Sequence, residues 1–341
     1  MNKWYEKSGE QADVVVSTRV RLARNLRDFP FASKLSKEER EKINTLVSDA
    51  ILNGNSVLSK RFKRIDMEKL DQTEAISLVE RHLISPEFAS NKEGRALLLL
   101  DDESVSIMIG EEDHIRLQVM KEGLDLKSTY EEADKIDTLL DEALSFAFDD
   151  RLGYLTQCPT NLGTGMRASM LLHLPALSES GAMNRISGSL AKLGLTLRGL
   201  YGEGSQSKGD LYQLSNQVTL GLSEEEALQN LQDISMQLIE QERSARNAMA
   251  RHMEMLDMIG RSYGILLNAR ILSGDEFMKL ISNVRLGIAL GVIEGLTYDT
   301  IHALIIDAQP ATLMKREGRH LPPSERDKKR AELVKERLRT I

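Results

Sequence analysis

Hydrophobic residues recur at two different spacings along the chain, and each spacing predicts a different kind of element. Within residues 37–52, Ile43, Val47 and Ile51 lie four positions apart, which is the spacing of one face of an amphipathic helix. A second stripe with helical spacing covers residues 136–147. We therefore predict a helix in each of these two regions, with its apolar face against a core.

Short apolar runs separated by turn residues predict strands elsewhere. Residues 95–100 and 105–109 flank the polar sequence Asp-Asp-Glu-Ser, which predicts a hairpin, and residues 115–120 predict a third strand. Further strands are expected at residues 153–156, 193–201 and 211–220. Connections of hairpin length favour an antiparallel sheet flanked by helices, which is an α+β fold.

The pattern changes after Gly221, where the chain becomes rich in Leu, Ile, Met and Ala. Ser223 and Glu226 fit a helix-capping box, and we predict one long helix over residues 223–258. Helix is expected in nearly all of the chain from there to residue 314.

We place a domain boundary near residue 250. Residues 1–250 would form the α+β domain, and residues 251–341 would form a small all-helical domain. A helical unit so rich in Leu, Ile and Met is a candidate dimer interface. The alternative is a helical bundle that packs only on its own sheet domain.

Composition narrows the class of protein. The chain of 341 residues has one cysteine, Cys158, which excludes an internal disulfide. No apolar run approaches the roughly 20 residues that span a bilayer, and the polar N-terminus lacks the apolar centre of a signal peptide. We therefore expect a cytoplasmic protein that does not contact a membrane.

Charge is unevenly distributed along the chain. The net charge is −7, but the segment from Lys315 to the C-terminus contains ten basic and five acidic residues. The acidic remainder could steer basic substrates toward the protein, or both regions could be ordinary solvated surface. The basic segment lacks interleaved aromatic residues, so it gives only weak support for a nucleic-acid-binding protein.

Four segments concentrate charged residues, a cysteine and glycines where a packed core would not favour them. They are residues 17–21 (Ser-Thr-Arg-Val-Arg), 110–116 (Gly-Glu-Glu-Asp-His-Ile-Arg), 158–167 (Cys-Pro-Thr-Asn-Leu-Gly-Thr-Gly-Met-Arg) and 197–204 (Leu-Arg-Gly-Leu-Tyr-Gly-Glu-Gly). Arg19 and Arg21 alternate, so on a strand they point to the same side. The third segment is expected to be a turn that enters a helix starting near Met166.

Each segment taken singly has an ordinary explanation. The paired arginines could lie on an exposed strand face, and the acids could form a solvated turn. Cys158 could be a small buried residue, and a lone glycine-rich loop is a weak signal. Together, however, the four segments closely resemble those that guanidino kinases carry in the same order, and this resemblance covers about residues 12–245.

The resemblance implies phosphoryl transfer from ATP to a guanidinium group. A guanidinium has a pKa above about 12, so it must be held and must lose a proton before it can attack phosphorus. By position in the matching motifs, Glu112 would be the catalytic base and Glu203 the second carboxylate. Cys158 would orient the guanidinium as a thiolate. Glu111 and Asp113 have less defined roles, and Asp113 is a candidate to help place Mg²⁺.

Arginines are expected to hold the nucleotide, because the sequence has no Walker A motif. Arg19, Arg21, Arg116, Arg167 and Arg198 match the family's phosphate-binding arginines. The resemblance implies MgATP and no metal site made of protein ligands alone. The full set of residues expected at or beside the nucleotide is Ser17, Thr18, Arg19, Val20, Arg21, His82, Arg116, Arg167, Ala168, Ser169, Met170, Leu171, Arg198, Gly199, Leu200, Tyr201, Gly202 and Glu203. His82 could equally be a capped or core histidine.

The chain differs from animal creatine and arginine kinases at both ends. Those kinases carry a helical domain ahead of the first motif, whereas 16 residues precede Ser17 here. A helical extension follows the catalytic segments instead. This arrangement resembles the bacterial protein-arginine kinases (the McsB type), so we expect protein arginines, rather than a free guanidino acid, as the substrate.

A short motif in the C-terminal segment agrees with this resemblance. Arg326, Asp327 and Arg330 match an Arg-Asp-x-x-Arg motif of those kinases, and Arg326 and Arg330 are spaced to share one helix face. The resemblance implies an allosteric phosphoarginine pocket, in which the arginines hold phosphate and Asp327 holds the guanidinium. The alternative is a solvated basic helix.

The family's biology gives further expectations. The resemblance implies a homodimer that marks proteins, including a heat-shock repressor, for a Clp protease in the stress response, and a zinc-binding activator protein as a partner. Two other functions stay open at this point. One is a kinase for a free guanidino metabolite such as arginine, and the other is a non-catalytic adaptor that binds phosphoarginine.

Overall fold

The fold is built around one antiparallel sheet. The computed structural model describes residues 2–54, 59–200 and 207–339. In this part of the chain the strands are β1 (Val15–Arg24), β2 (Phe62–Asp66), β3 (Ala96–Leu100), β4 (Val105–Ile109), β5 (Ile115–Glu122), β6 (Phe148–Asp149), β7 (Gly153–Tyr154), β8 (Met166–His173), β9 (Leu195–Gly199) and β10 (Leu211–Asn216). Eight of them form the main sheet in the order β2-β3-β4-β5-β1-β8-β10-β9, and β6 and β7 form a separate hairpin.

The described residues up to Met249 also contain seven α-helices. They are α1 (Lys37–Leu52), α2 (Gln72–Glu80), α3 (Pro86–Ser90), α4 (Leu126–Leu144), α5 (Pro175–Glu179), α6 (Met183–Lys192) and α7 (Glu224–Met249). α4 packs on β1 and β5, and α7 packs on β8 and β10. These contacts bury one face of the sheet, represented by Val20, Leu22, Ala168 and Met170.

Five further helices follow, and their apolar core also includes Val16 of β1 and Leu211 of β10. They are α8 (Met253–Asn268), α9 (Gly274–Ala289), α10 (Tyr298–Asp307), α11 (Pro310–Glu317) and α12 (Pro323–Arg339). Phe277, Ile281, Ile301 and Leu313 lie at the centre of this core. No helix in the described part of the chain is both long enough and apolar enough to cross a membrane.

Two details of the predicted elements are wrong. The segment that begins at Met166 is strand β8, because Arg167 and Ser169 alternate with Ala168 and Met170 between the neighbouring strands β1 and β10. The helix predicted over residues 223–258 is two helices, because α7 ends at Met249 and α8 starts at Met253. The α+β class, α1, α4 and the β3–β4–β5 meander are confirmed.

Polar contacts join the helical region to the sheet domain. The Glu80 carboxylate at the end of α2 accepts hydrogen bonds from the backbone N–H groups of Ala311 and Thr312, at 2.9 and 2.7 Å, in the first turn of α11. Arg285 of α9 is fully buried and donates to the carbonyl oxygens of Ala12 and Asp13 at 2.6 and 3.0 Å. These bonds satisfy buried backbone groups, so they fix how the two regions pack.

Candidate active site

The arginines of all four motifs meet on the face of the sheet opposite α4 and α7. Arg21 lies opposite Arg167 in the β1–β8 register, and Arg198 lies opposite Gln213 in the β9–β10 register. Arg116 faces Ala23, two positions from Arg21 and therefore on the same side. With Arg19, these side chains line one cleft of about 430 Å³, within the size range of small-ligand sites.

This cleft is strongly positive. Burial, together with repulsion from neighbouring arginines, lowers the pKa of Arg19 to about 10 and also lowers the pKa values of Arg21 and Arg167. Arg116 forms an ion pair with Glu111, whereas the other four arginines form none with any described residue. The buried Nε atoms of Arg21 and Arg167 have no hydrogen-bond partner in that same part of the chain. Such a set of positively charged N–H donors without acidic partners fits a polyanion such as a nucleoside triphosphate.

His82 lies on the opposite wall of the cleft, which is formed by the connection between α2 and α3. Its backbone has φ of 61°, an uncommon conformation for a residue with a side chain, and its carbonyl accepts a hydrogen bond from Gln118 at 2.7 Å. Burial and the nearby Arg19 lower the pKa of His82 to about 3. The imidazole is therefore neutral at pH 7, which suits a nucleobase or ribose contact better than a phosphate contact.

The three acids after β4 have different surroundings. Glu111 is buried and contacts both Arg116 and the hydroxyl of Ser85. Glu112 is half-buried, and its charge counteracts the lowering of the Arg167 pKa that burial and Arg116 cause. Of the three acids, Glu112 is the least buried.

Asp113 has a positioning role. Its Oδ1 accepts hydrogen bonds from Asn25 Nδ2 at 2.6 Å and from the backbone N–H of Gln157 at 2.8 Å, and burial raises its pKa. Gln157 immediately precedes Cys158, so Asp113 ties the loop that carries the cysteine to the sheet. These contacts leave the proposal that Asp113 helps to place Mg²⁺ without support.

The Cys158 loop is held by backbone contacts. Its sulfur lies 3.0 Å from the hydroxyl of Thr160, and the Thr219 hydroxyl donates to the carbonyl oxygen of Thr160 at 3.1 Å. Gly163 has φ of 108°, and a Cβ at this position would lie 2.1 Å from the carbonyl oxygen of Thr219. Only glycine allows this close approach, so Gly163 helps to set the position of the loop.

The remaining residues predicted for the nucleotide divide by sheet face. Ser17, Ser169, Leu171, Gly199 and Leu200 line the cleft or the small cavity beside it. Thr18, Val20, Ala168 and Met170 are fully buried and face away from the cleft, so the side chains of these four residues are not part of it. Tyr201, Gly202 and Glu203 lie outside the described residues.

Several polar residues that line the cleft were not predicted, including Gln213 and Ser215 on β10. Gln213 accepts a hydrogen bond from Arg19 Nη2 at 2.8 Å, and Ser215 lines the same cleft. They alternate with buried Tyr212 and Leu214 along β10. This period-two alternation was readable in the sequence, but it shows which residues share a face and not which face carries the site.

The three residues of the C-terminal motif lie where α12 meets α9 and α10. Arg330 is 2% exposed and donates to the carbonyl oxygens of Ala308 and Leu272, at 2.9 and 2.8 Å, and to Asp327 Oδ1 at 2.7 Å. The Nε of Arg326 is buried and has no hydrogen-bond partner among the described residues. Arg330 is therefore already used to join helices, while Arg326 retains an unused donor.

Comparisons with known proteins identify relatives along nearly the whole chain. Residues 42–245 match the family described as ATP:guanido phosphotransferase, C-terminal catalytic domain, and residues 252–341 match the protein-arginine kinase McsB C-terminal domain. The protein-arginine kinase of Halothermothrix orenii is 46% identical over 99% of this chain and 97% of its own length. That of Geobacillus stearothermophilus is 44% identical over 99% and 94%, respectively.

Similar solved structures include a taurocyamine kinase and a lombricine kinase. The duplicated taurocyamine kinase of Schistosoma mansoni, solved with transition state analog components, matches with a TM-score of 0.63 and 28% identity over 75% of this chain. The match spans 39% of that duplicated protein. Lombricine kinase matches with a TM-score of 0.62 and 27% identity, over 72% of this chain and 71% of its own. The chain therefore belongs to the ATP:guanido phosphotransferase family of enzymes and, within it, to the group of protein-arginine kinases.

Proposed function

We propose that this enzyme transfers the γ-phosphate of ATP to arginine side chains of proteins. The observation that carries the proposal is the cleft itself, which five arginines line. Glu112 and Cys158 act electrostatically on one of these arginines, Arg167. The relatives named as protein-arginine kinases, which match along nearly the whole chain, support protein arginine as the acceptor.

The residues of the cleft have complementary roles in this reaction. Phosphoryl transfer depends mainly on positioning and on charge stabilisation, which the arginine side chains supply through charge-assisted hydrogen bonds. Glu112 removes a proton from the acceptor guanidinium as nitrogen approaches phosphorus. Glu203 is proposed as a second carboxylate, and Cys158 orients the acceptor.

Mg²⁺ is expected to enter with the nucleotide. In residues 2–54, 59–200 and 207–339, no group of three or more His, Cys, Asp or Glu side chains is arranged to hold a metal ion. Magnesium commonly keeps several waters and binds substrate phosphates with only one or two carboxylates. When bound, it would neutralise charge on the phosphates, and the arginines would hold the remaining phosphate oxygens.

The test is to incubate the enzyme with MgATP and a casein-like protein, and to analyse the products by mass spectrometry under non-acidic conditions. We expect phosphate on arginine that is lost in acid, because a P–N bond is acid-labile. Acid-stable phosphate on serine would contradict the proposal. ATP consumption only when free arginine is added would instead assign the enzyme to the metabolite kinases, such as those that the solved structures represent.

A second proposal concerns regulation by the product. We propose that phosphoarginine binds at Arg326 and Asp327 in the helical domain and raises activity. Arg330→Ala is a poor test, because it removes buried hydrogen bonds to Leu272 and Ala308 as well. Arg326→Ala removes the unused donor and is expected to abolish activation by added phosphoarginine while leaving basal ATP turnover unchanged. Unchanged activation in this variant would exclude the site.

The remaining biology is also proposed from the resemblance. It comprises a cytoplasmic homodimer, a stress-response role, delivery of a heat-shock repressor and other marked proteins to a Clp protease, and a zinc-binding activator.

The dimer has structural support, because Met253, Ile265 and Ile271 leave apolar surface exposed along and just beyond α8. Sedimentation of the enzyme and of Met253→Ser/Ile271→Ser is expected to show a dimer and a monomer, respectively. A monomeric unmodified enzyme would contradict it.

A further inference from the structure

A group of apolar side chains is exposed around one cavity at the end of the Cys158 loop. Phe148, Leu152, Leu220 and Leu222 are 51%, 43%, 48% and 41% exposed, and all four line one shallow cavity of about 220 Å³. Single exposed apolar residues are common on protein surfaces, but several around one cavity indicate a binding surface. We call these four residues the apolar rim.

The apolar rim is continuous with the loop that carries Cys158. Gly163 and Thr164, at the end of that loop, line the same cavity. Thr219, which directly precedes Leu220, donates a hydrogen bond to the carbonyl oxygen of Leu162 at 2.7 Å. The apolar rim and the loop that carries Cys158 are therefore joined through residues 162–164 and Thr219.

The turns around this surface hold its apolar side chains in exposed positions. Phe148 and Leu152 stand on the β6–β7 hairpin, where the ring of Phe148 packs edge-on against Tyr154 at 5.1 Å between centroids. Leu220 and Leu222 flank Gly221, just before the capping box that starts α7. The cavity thus lies between two tethered turns, so its apolar lining is held in place.

The charge around the surface favours a basic partner. Residues 141–154 and 218–226, which contain the apolar rim, include seven acidic residues and one basic residue, Arg151. Glu224 and Arg151 both line the cavity itself, so the excess of acidic residues lies around it. Apolar contacts surrounded by negative charge complement a chain that carries both arginine and apolar side chains.

We propose that the apolar rim docks an extended segment of the protein substrate, through apolar side chains that flank the target arginine. This inference rests on the proposed function and deepens it, because it names the chemistry of the sequence around the modified arginine. A folded protein buries most of its large apolar side chains. The surface therefore favours arginines in unfolded segments, where apolar neighbours are accessible.

The test uses two synthetic peptides, each with a single arginine and the same net charge. One carries leucine on both sides of the arginine and the other carries serine at the same positions. We expect the unmodified enzyme to phosphorylate the leucine peptide with a kcat/KM about tenfold higher, since one partly buried leucine is worth about that factor. In Leu220→Ser/Leu222→Ser the preference is expected to disappear, with the rate on the serine peptide unchanged.

Leu193→Ser is the matched control, because Leu193 is 49% exposed but lines a different cavity between α6 and α7. The control is expected to keep the preference. Equal rates on the two peptides, or a preference that survives in the double variant, would overturn the docking surface while leaving the kinase intact. Arginine phosphate on neither peptide would overturn the proposed function and the docking surface with it. Sedimentation adds a further outcome, because a double variant that loses self-association but keeps the preference would assign the surface to a second copy of the chain.

Discussion

At the residue scale, the arginine cluster lowers the stability of the free enzyme. Arg21 and Arg167 lie opposite each other, and each has a buried Nε without a partner among the described residues. Both their pKa values are lowered by burial and by other arginines. Like charges held together in this way favour binding of an anion over stability of the free enzyme.

We expect Arg167→Met to separate these two effects. ATP affinity is expected to fall about 10- to 100-fold, because a charge-assisted hydrogen bond is lost. The free energy of unfolding without ATP is expected to stay the same or rise, because repulsion is relieved. Calorimetric titration and denaturant unfolding measure the two quantities. Arg64→Met, an exposed arginine on edge strand β2, is the control and is expected to change neither. A large loss of stability in Arg167→Met would show that the cluster is structural.

A second prediction at this scale concerns the base. Glu112→Gln keeps the size of the side chain and removes the proton acceptor, so kcat is expected to fall by about 10²- to 10⁴-fold. ATP affinity is expected to be nearly unchanged, because the arginines remain. Glu41→Gln on the exposed side of α1 controls for loss of a negative charge. Turnover of Glu112→Gln close to that of the control would assign the base to another group.

At the element scale, the Cys158 loop depends on a close backbone approach rather than on its own sequence. Gly163 meets the carbonyl of Thr219, and Asp113 holds the backbone of Gln157. The loop is therefore set by two segments that are distant from it in sequence. This explains how a half-exposed cysteine can keep a defined position beside the arginine cluster.

Gly163→Ala tests this dependence. Its Cβ would overlap the Thr219 carbonyl, so the free energy of unfolding is expected to fall by about 2 kcal/mol or more, and activity should fall as the loop shifts. Gly188→Ala is the matched control, because Gly188 lies within α6 with open space around it. The control is expected to gain about 0.5–1 kcal/mol from helix propensity. Equal stability of the two variants would show that the loop tolerates a side chain.

At the scale of the whole molecule, two buried histidines lie in or near the contact between the sheet and the C-terminal helices. His173, at the end of β8, lies 2.8 Å from the Ser282 hydroxyl of α9, and His302 of α10 lies 3.5 Å from Arg285. Burial and nearby arginines hold the pKa of His302 at about 3 and that of His173 well below its ordinary value. Both stay neutral in the folded protein at any pH near neutrality.

This predicts that mild acid weakens the fold. In the unfolded chain both histidines take up protons near pH 6.5, whereas in the folded protein they do not, so the unfolded state binds more protons as pH falls. The free energy of unfolding is expected to drop by about 1.4 kcal/mol per histidine between pH 7.5 and 5.5. Urea unfolding at the two pH values measures this decrease in the free energy of unfolding. In His302→Gln the decrease is expected to be smaller by the amount given for one histidine. His320→Gln, at an exposed position, should leave it unchanged. An undiminished drop in His302→Gln would contradict the assignment.

Part of the fold and site was predictable because it depends on local periodicity and residue type. The helices α1 and α4 and the β3–β4–β5 meander follow from apolar spacing, which neighbours along the chain determine. The segment at Met166 did not follow, because a strand between β1 and β10 exists only through pairing with residues distant in sequence. For the same reason, residues 167–171 were treated as one binding segment, although alternate side chains face opposite sides of the sheet.

The sequence by itself determined the family, the set of charged groups and the elements with strong periodicity, because motifs and spacing are properties of the chain. Only the tertiary structure decided which of those groups act together. The register of the sheet places the arginines of four strands in one cleft. Asp113 and Arg330 hydrogen-bond neighbouring segments. Two turns that are distant in sequence form the apolar rim at the end of the Cys158 loop. Each of these outcomes depends on contacts between residues far apart in the chain, and no local pattern encodes such contacts.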